Sequence, residues 1–93
     1  MVYRIELTPA AEKSLAKIAK SDRPLLKRID QALLALAASP FPANSKQLVG
    51  EDPPLYRMRV GDYRILYQVE NDVLVILVVH VSHRKDVYRF LKR

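Results

Sequence analysis

Three arginines lie close together in residues 55–68, LYRMRVGDYRILYQ, around one short turn. The Gly-Asp pair at 61–62 is a good two-residue hairpin turn, because glycine at its first position supplies the positive φ of a type II′ turn. In the resulting register Arg59 lies opposite Arg64, and Arg57 shares their side of the hairpin. Like charges in this arrangement repel, whereas guanidinium groups bind phosphate through paired hydrogen bonds. The hairpin therefore predicts a site for a polyanion, with RNA the first candidate.

The arginine side of the hairpin has two simpler interpretations, which stay open at this point. It could be a solvated surface that keeps the chain soluble, or its arginines could pair with acids from elsewhere in the fold. The 93 residues carry 16 Lys and Arg against 10 Asp and Glu, a net charge of +6. Such a balance favours anionic partners but does not select one of them.

The sequence offers fewer residues for acid–base, metal-dependent or nucleophilic catalysis. His80 and His83 suggest an acid–base pair, but His80 lies in an apolar strand, where core packing is the simpler role. His83 is a second-rank candidate at the mouth of the arginine site, since histidine titrates near neutral pH. The acidic residues lie mostly in turns and do not converge as a two-metal nuclease requires. With no cysteine, no phosphate-binding loop and no nucleophile elbow, we expect neither metal nor cofactor.

Two helices precede the hairpin. Residues 2–7, VYRIEL, alternate as a first strand. Thr8 as N-cap and Pro9 at the first helical position begin a helix over TPAAEKSLAKIAK. A second helix runs roughly from Pro24 to Ala38 and ends at the prolines that follow it. Its apolar stripe has the spacing of a core-facing helix and consists of Leu26, Ile29, Leu33 and Leu36.

Three strands follow an ordered loop over residues 39–54. They are predicted at Leu55–Val60, Tyr63–Val69 and Val73–Ser82, and the last is apolar on both sides, so it lies inside the sheet. The predicted fold is one α+β domain over residues 1–93, with two helices on one face of an antiparallel sheet in the order β-α-α-β-β-β.

An apolar strip is predicted beside the arginines. A two-residue turn at Asn71-Asp72 would place Leu77, Val79 and Val81 on the arginine side of the last strand. That strip is either a protein-binding surface or is covered by the C-terminal segment, Arg84–Arg93. No apolar run is long enough to span a membrane and the first residues lack a signal peptide, so we expect a cytoplasmic protein without membrane contact.

The whole chain resembles the RelE branch of the RelE/ParE toxin superfamily. The resemblance rests on YRMRVGDYRILYQV at 56–69, followed by VHVSHRKDVYRF at 79–90. It implies an endoribonuclease that enters the ribosomal A site and cuts mRNA there. It also implies a cognate antitoxin that holds the toxin inactive, and contact with operator DNA only through the complex of the two.

The resemblance also assigns roles to residues. It places the family's basic pair at Arg57 and Arg59 and its later functional residues at Arg64, Arg84 and Tyr88. We predict that Arg57, Arg59 and Lys85 bind RNA phosphates and that Arg64, Arg84 and Tyr88 are catalytic. In a metal-independent attack by the RNA 2′-hydroxyl, the arginines would stabilise the phosphorane and Tyr88 would be the base, because nearby Arg favours the phenolate. Tyr88 could instead stack on a base or anchor the C-terminal segment.

Two other functions remain as alternatives. The ParE branch shares the fold and is implied to inhibit DNA gyrase without cutting RNA. A nucleic-acid-binding module without catalysis fits the charge equally well, although it gives no reason for the spacing of Arg84 and Tyr88.

Overall fold

Two helices pack on one face of a five-stranded sheet in the computed structural model, which describes residues 2–85. The strands are β1 (Arg4–Leu7), β2 (Ser45–Gln47), β3 (Tyr56–Val60), β4 (Tyr63–Glu70) and β5 (Val75–His83). Their order across the sheet is β1-β5-β4-β3-β2, with β1 parallel to β5 and the other neighbours antiparallel. The predicted α+β architecture is confirmed, with β5 inside the sheet. The short β2 was not predicted, and the parallel pairing of β1 with β5 departs from the predicted antiparallel sheet.

Both helices begin at side-chain caps. Helix α1 covers Pro9–Ser21, and the Thr8 hydroxyl accepts a hydrogen bond from the Ala11 N–H at 3.2 Å. Helix α2 covers Arg23–Ala38 and is capped in the same way by Asp22, the single residue between the helices. Each cap satisfies an N–H that the helix cannot pair internally, so the second helix can begin one residue after the first ends. No helix within residues 2–85 is long and apolar enough to cross a bilayer.

The core lies between the helices and one side of the sheet, which we call the inner face. From α2 it takes Ile29, Leu33 and Leu36 of the predicted stripe, while Leu25 is buried more deeply than Leu26. From the hairpin it takes the alternate residues of both strands, as the predicted register requires: Tyr56, Met58, Val60, Tyr63, Ile65 and Tyr67. The opposite side of the sheet, the outer face, carries the residues between them.

The β3–β4 hairpin has the predicted register. Val60 pairs with Tyr63, Arg59 with Arg64 and Arg57 with Leu66. Gly61 has a φ of +57°, which an L side chain rarely adopts. A type II′ turn requires positive φ at its first central residue, Gly61, but not at its second, Asp62. Asp62 meets this requirement, because it is not among the non-glycine residues of positive φ within residues 2–85.

The β4–β5 connection differs from its prediction. The turn has four residues, 71–74, and Leu74 takes a φ of +54°. Further along, Leu66 pairs with His80 but Tyr67 pairs with Val78, so Val79 is an extra residue in a β-bulge. The predicted place of Val81 on the arginine side is therefore wrong, since the shifted register puts it on the inner face opposite Ile65, where it is buried.

The bulge is tied to the first helix. The Thr8 hydroxyl, which caps α1, also donates a hydrogen bond to the Val79 carbonyl. On the outer face, Val79 and the fully buried Leu66 pack with Leu48 and Leu55 from the ends of the β2–β3 connection. Part of the apolar strip beside the arginines is therefore covered by that connection.

Candidate functional site

Four basic residues share the outer face of three neighbouring strands. Arg59 of β3 lies opposite Arg64 of β4, and Lys46 of β2 lies opposite Arg57 of β3. Directly opposed residues, and residues two apart along a strand, point to the same side of a sheet. Lys46, Arg57, Arg59 and Arg64 therefore form one continuous surface, which we call the basic face.

Lys46 was missed by the sequence analysis, which assigned residues 39–54 to a loop. Strand β2 has three residues, shorter than most strands, and its sequence SKQ has no alternation of apolar side chains. Its position becomes visible only in the pairing with β3. The backbone hydrogen bond from Leu48 to Leu55, at 2.8 Å, continues that pairing beyond the strand.

Arg64 is held at the hairpin turn by backbone carbonyls. Its Nη1 donates to the Tyr63 carbonyl at 3.1 Å and to the Gly61 carbonyl at 3.3 Å. These bonds set the plane of a group that has five N–H donors, and the side chain is only half-buried. The guanidinium is thereby oriented before any ligand arrives, which lowers the cost of binding an anion.

The predicted C-terminal part of the site begins at the same turn. The backbone N–H of Arg84 donates to the Asp62 carbonyl at 2.7 Å, and the Arg84 side chain is exposed. The structure therefore brings the start of this segment to the turn that orients Arg64. Lys85 is also exposed. Tyr88 lies outside the described residues, so its assignment stays a prediction.

The two histidines lie on opposite sides of the sheet. His83 pairs with Tyr63 on the inner face, where the two rings meet edge to face with centroids 5.6 Å apart. Its Nδ1 accepts a hydrogen bond from the Lys85 N–H at 3.2 Å. The structure does not bring the His83 ring to the basic face. His80 is on the outer face opposite Leu66, and partial burial lowers its pKa from the ordinary value.

The basic face is suited to electrostatic work on phosphate. Guanidinium groups bind phosphate oxygens bidentately and keep their charge at any physiological pH. Such fixed cations stabilise the negative charge that develops when a phosphorus centre is attacked. Within residues 2–85, no group of three or more His, Cys, Asp and Glu side chains is placed to hold a metal ion.

The fold and the basic face together define a small two-layer α+β protein suited to bind a polyanion. The family model described as "ParE toxin of type II toxin-antitoxin system, parDE" matches residues 5–88. The chain therefore belongs to this toxin family, and the predicted membership of the RelE/ParE superfamily is confirmed.

Individual relatives carry RelE-type names. Toxin RelG of Mycobacterium tuberculosis is 29% identical over 89 residues, which are 96% of this chain and 99% of that protein. The toxin in a crystal structure of the archaeal RelE–RelB complex from Pyrococcus horikoshii is similar at 27% identity with a TM-score of 0.76, over 90% of this chain and 97% of that one. A RelBE2 toxin–antitoxin complex from M. tuberculosis matches at 25% identity with a TM-score of 0.74, over 90% of this chain and all of that chain.

Proposed function

We propose that this toxin is a ribosome-dependent endoribonuclease that cuts mRNA in the A site without a metal ion. The observation that carries the proposal is the basic face, which presents Arg57, Arg59 and Arg64 together on a rigid hairpin. The similarity to toxins named RelE and RelG supports the same class of activity.

The chemical step uses the RNA's own nucleophile. The 2′-oxygen attacks the adjacent phosphorus, and the bond from phosphorus to the 5′-oxygen breaks. The products are a 2′,3′-cyclic phosphate and a free 5′-hydroxyl. One proton leaves the 2′-hydroxyl and one reaches the 5′-oxygen, while the arginines offset the charge of the phosphorane. This electrostatic term is usually the largest contribution to catalysis.

The remaining roles go to the C-terminal segment. This segment begins with Arg84 at the turn beside Arg64. Arg84 stabilises the leaving 5′-oxygen, and Lys85 binds a neighbouring phosphate. Tyr88 is proposed as the base, with its phenolate favoured by the arginines. His83 faces the other side of the sheet, so the proposal gives it no contact with the reacting atoms.

The partner that restrains this activity is proposed to be a cognate antitoxin. The solved relatives from P. horikoshii and M. tuberculosis are toxin–antitoxin complexes, the archaeal one of RelE with RelB. A chain of net charge +6 favours an antitoxin of acidic character that orders as it binds. Operator DNA would be contacted only through that complex, and residues 1–93 would act as one toxin domain in the cytoplasm.

Gyrase inhibition is the second candidate, and one observation favours it. The matching family model is described as ParE, and the ParE branch is implied to act on DNA gyrase rather than on RNA. In that function the basic face would contact protein or DNA, and no RNA bond would be broken.

The test is induction of the chain in cells that lack its antitoxin, beside Arg64→Ala and Tyr88→Phe. The 5′ ends of a translated mRNA are mapped and compared with an untranslated version of the same message. We expect cuts within codons of the translated message only, reduced about 10²–10³-fold in Arg64→Ala, as for loss of one transition-state donor. Lys27→Gln, an exposed charge on α2, is the matched control and should cut like the parent.

The other outcomes separate the candidates. Growth arrest with intact mRNA would overturn the nuclease and favour gyrase as the target. Cutting that survives in Tyr88→Phe would remove the base from Tyr88 while keeping the nuclease. Equal cutting of translated and untranslated messages would remove the ribosome from the mechanism.

A further inference from the structure

A surface groove lies at the edge of the sheet, beside the basic face. It has a volume of about 310 Å³ and lies between the start of β2 and the outer side of β3. Its charged walls are Lys46, Arg57 and Arg59, and its remaining lining is small or polar: Ala43, Asn44 and Ser45. We call it the edge groove. Its lining by residues 2–85 includes three cations and no acidic side chain.

Two of the three cations of the edge groove, Lys46 and Arg59, are not neutralised by an acid of the described residues. Within residues 2–85, neither Lys46 nor Arg59 forms an ion pair, and both side chains are exposed. Lys46 also lies directly opposite Arg57, so both side chains are on the same side of the sheet. An anion between these strands would accept hydrogen bonds from the side chains of both.

The floor of the edge groove is fixed by hydrogen bonds. The Asn44 side-chain amide donates to the Arg59 carbonyl at 3.0 Å, which joins the start of β2 to β3. The Ser45 hydroxyl and the Ser45 N–H donate to the Pro42 carbonyl, at 2.7 and 2.9 Å. These bonds hold the segment that leads into Lys46, so the groove is formed without a ligand and binding carries a smaller ordering cost.

The edge groove and Arg64 lie on opposite sides of the middle strand of the basic face. Lys46 and Arg64 lie on β2 and β4, with β3 between them. Two strand spacings separate their backbones by about 10 Å. A phosphate held between the opposed Arg59 and Arg64 lies toward β4, whereas Lys46 faces Arg57 on the β2 side, and a single-stranded RNA supplies one phosphate for each nucleotide.

We propose that the edge groove is a second phosphate subsite, in which Lys46 binds the RNA backbone next to the phosphate that faces Arg64. The inference rests on the proposed RNA substrate and adds a named residue and direction to it. The bound strand runs across β4, β3 and β2, from the hairpin turn toward the sheet edge.

The test measures binding to an RNA strand that cannot be cut. The purified chain is titrated against a short, labelled, single-stranded RNA with 2′-O-methyl riboses, and Kd is measured at several salt concentrations. Loss of one phosphate contact in Lys46→Gln should reduce the slope of log Kd against log salt by about 0.7. The ratio of variant to parent Kd should then fall about 2.6-fold between about 50 and about 200 mM salt.

Matched variants isolate the contact. Lys46→Arg keeps the charge and should keep the parent slope, and Lys27→Gln removes an exposed charge from α2 and should also leave it unchanged. Replacing single linkages by neutral methylphosphonates should weaken the parent at one position where Lys46→Gln shows no further loss. That position would identify the phosphate in the edge groove.

The subsite and the nuclease can fail separately. An unchanged slope in Lys46→Gln, or no binding of the strand by the parent, would overturn the subsite even if Arg64→Ala abolished mRNA cleavage. A reduced slope in Lys46→Gln from a chain that cuts no mRNA would keep the subsite and overturn the nuclease.

Discussion

The two faces of one strand, β4, carry different properties of the molecule. Ile65 and Tyr67 point inward, have no exposed surface and belong to the core cluster that includes residues of both helices. Arg64 and Leu66 alternate with them on the outer face, where Leu66 belongs to a small cluster beside the four cations of the basic face. Because side chains alternate along a strand, neighbouring residues of β4 belong in turn to the main core and to the side of the sheet that carries the candidate site. The main core and the candidate site are thereby separated within four consecutive residues.

The largest effect expected from this comparison is on the inner face. Ile65→Ala removes most of a fully buried side chain at the centre of the sheet, so the free energy of unfolding should fall by about 2–5 kcal/mol. Arg64→Ala, one residue away, should change it by less than about 0.5 kcal/mol, because that side chain is only half-buried. Urea denaturation of both variants measures the difference.

A loss in Arg64→Ala as large as that in Ile65→Ala would contradict the separation of the two faces. It would mean that the guanidinium stabilises the hairpin through its carbonyl contacts, and a loss of cleavage in that variant would then report unfolding. The control is Arg64→Lys, which keeps the charge but not the fork of donors.

The parts of this arrangement that the sequence predicted are those with a local chemical cause. Thr8 and Pro9 fix the start of α1, and Gly61 fixes the turn that sets Arg59 against Arg64. Once that turn is known, period-two alternation assigns both faces of the hairpin. The arginine side of the candidate site therefore followed from one glycine and one periodicity.

The parts that the sequence did not predict depend on distant contacts. Leu74 takes a left-handed conformation that leucine rarely adopts, so the four-residue turn has no sequence signal. The bulge at Val79 falls in a run that is apolar on both sides, where a shift of register leaves the pattern unchanged. Strand β2 is formed by its pairing with β3, and this pairing places Lys46 on the basic face.

A smaller effect is expected where the inner face meets the loop before β2. The buried Tyr67 hydroxyl donates to the Pro40 carbonyl at 2.8 Å, and burial raises the pKa of this hydroxyl, so it remains a donor well above neutral pH. Tyr67→Phe keeps the ring stacked on Tyr56 but leaves the carbonyl without this donor. The free energy of unfolding should fall by about 1 kcal/mol.

The matched control is Tyr56→Phe. The Tyr56 hydroxyl makes no hydrogen bond within residues 2–85, so its removal should change stability by less than about 0.5 kcal/mol. Equal losses in the two variants would assign the effect to ring packing rather than to the bond with Pro40.

The smallest effect expected is a pH dependence of stability that arises from His80, a residue of the outer face. Burial lowers its pKa below the ordinary value, so the folded chain takes up this proton less readily than the unfolded chain. Acidification through about pH 6.5 then favours the unfolded state, and stability rises with pH in the window just below that value. His80→Gln cannot take up the proton, so its urea midpoint should fall less than that of the parent between about pH 7.5 and about pH 5.

Both proteins contain His83, so the difference between their pH profiles isolates His80. Parallel profiles would mean that His80 titrates alike in the folded and unfolded chains, and the outer face would then contribute to stability through the Leu66 cluster alone.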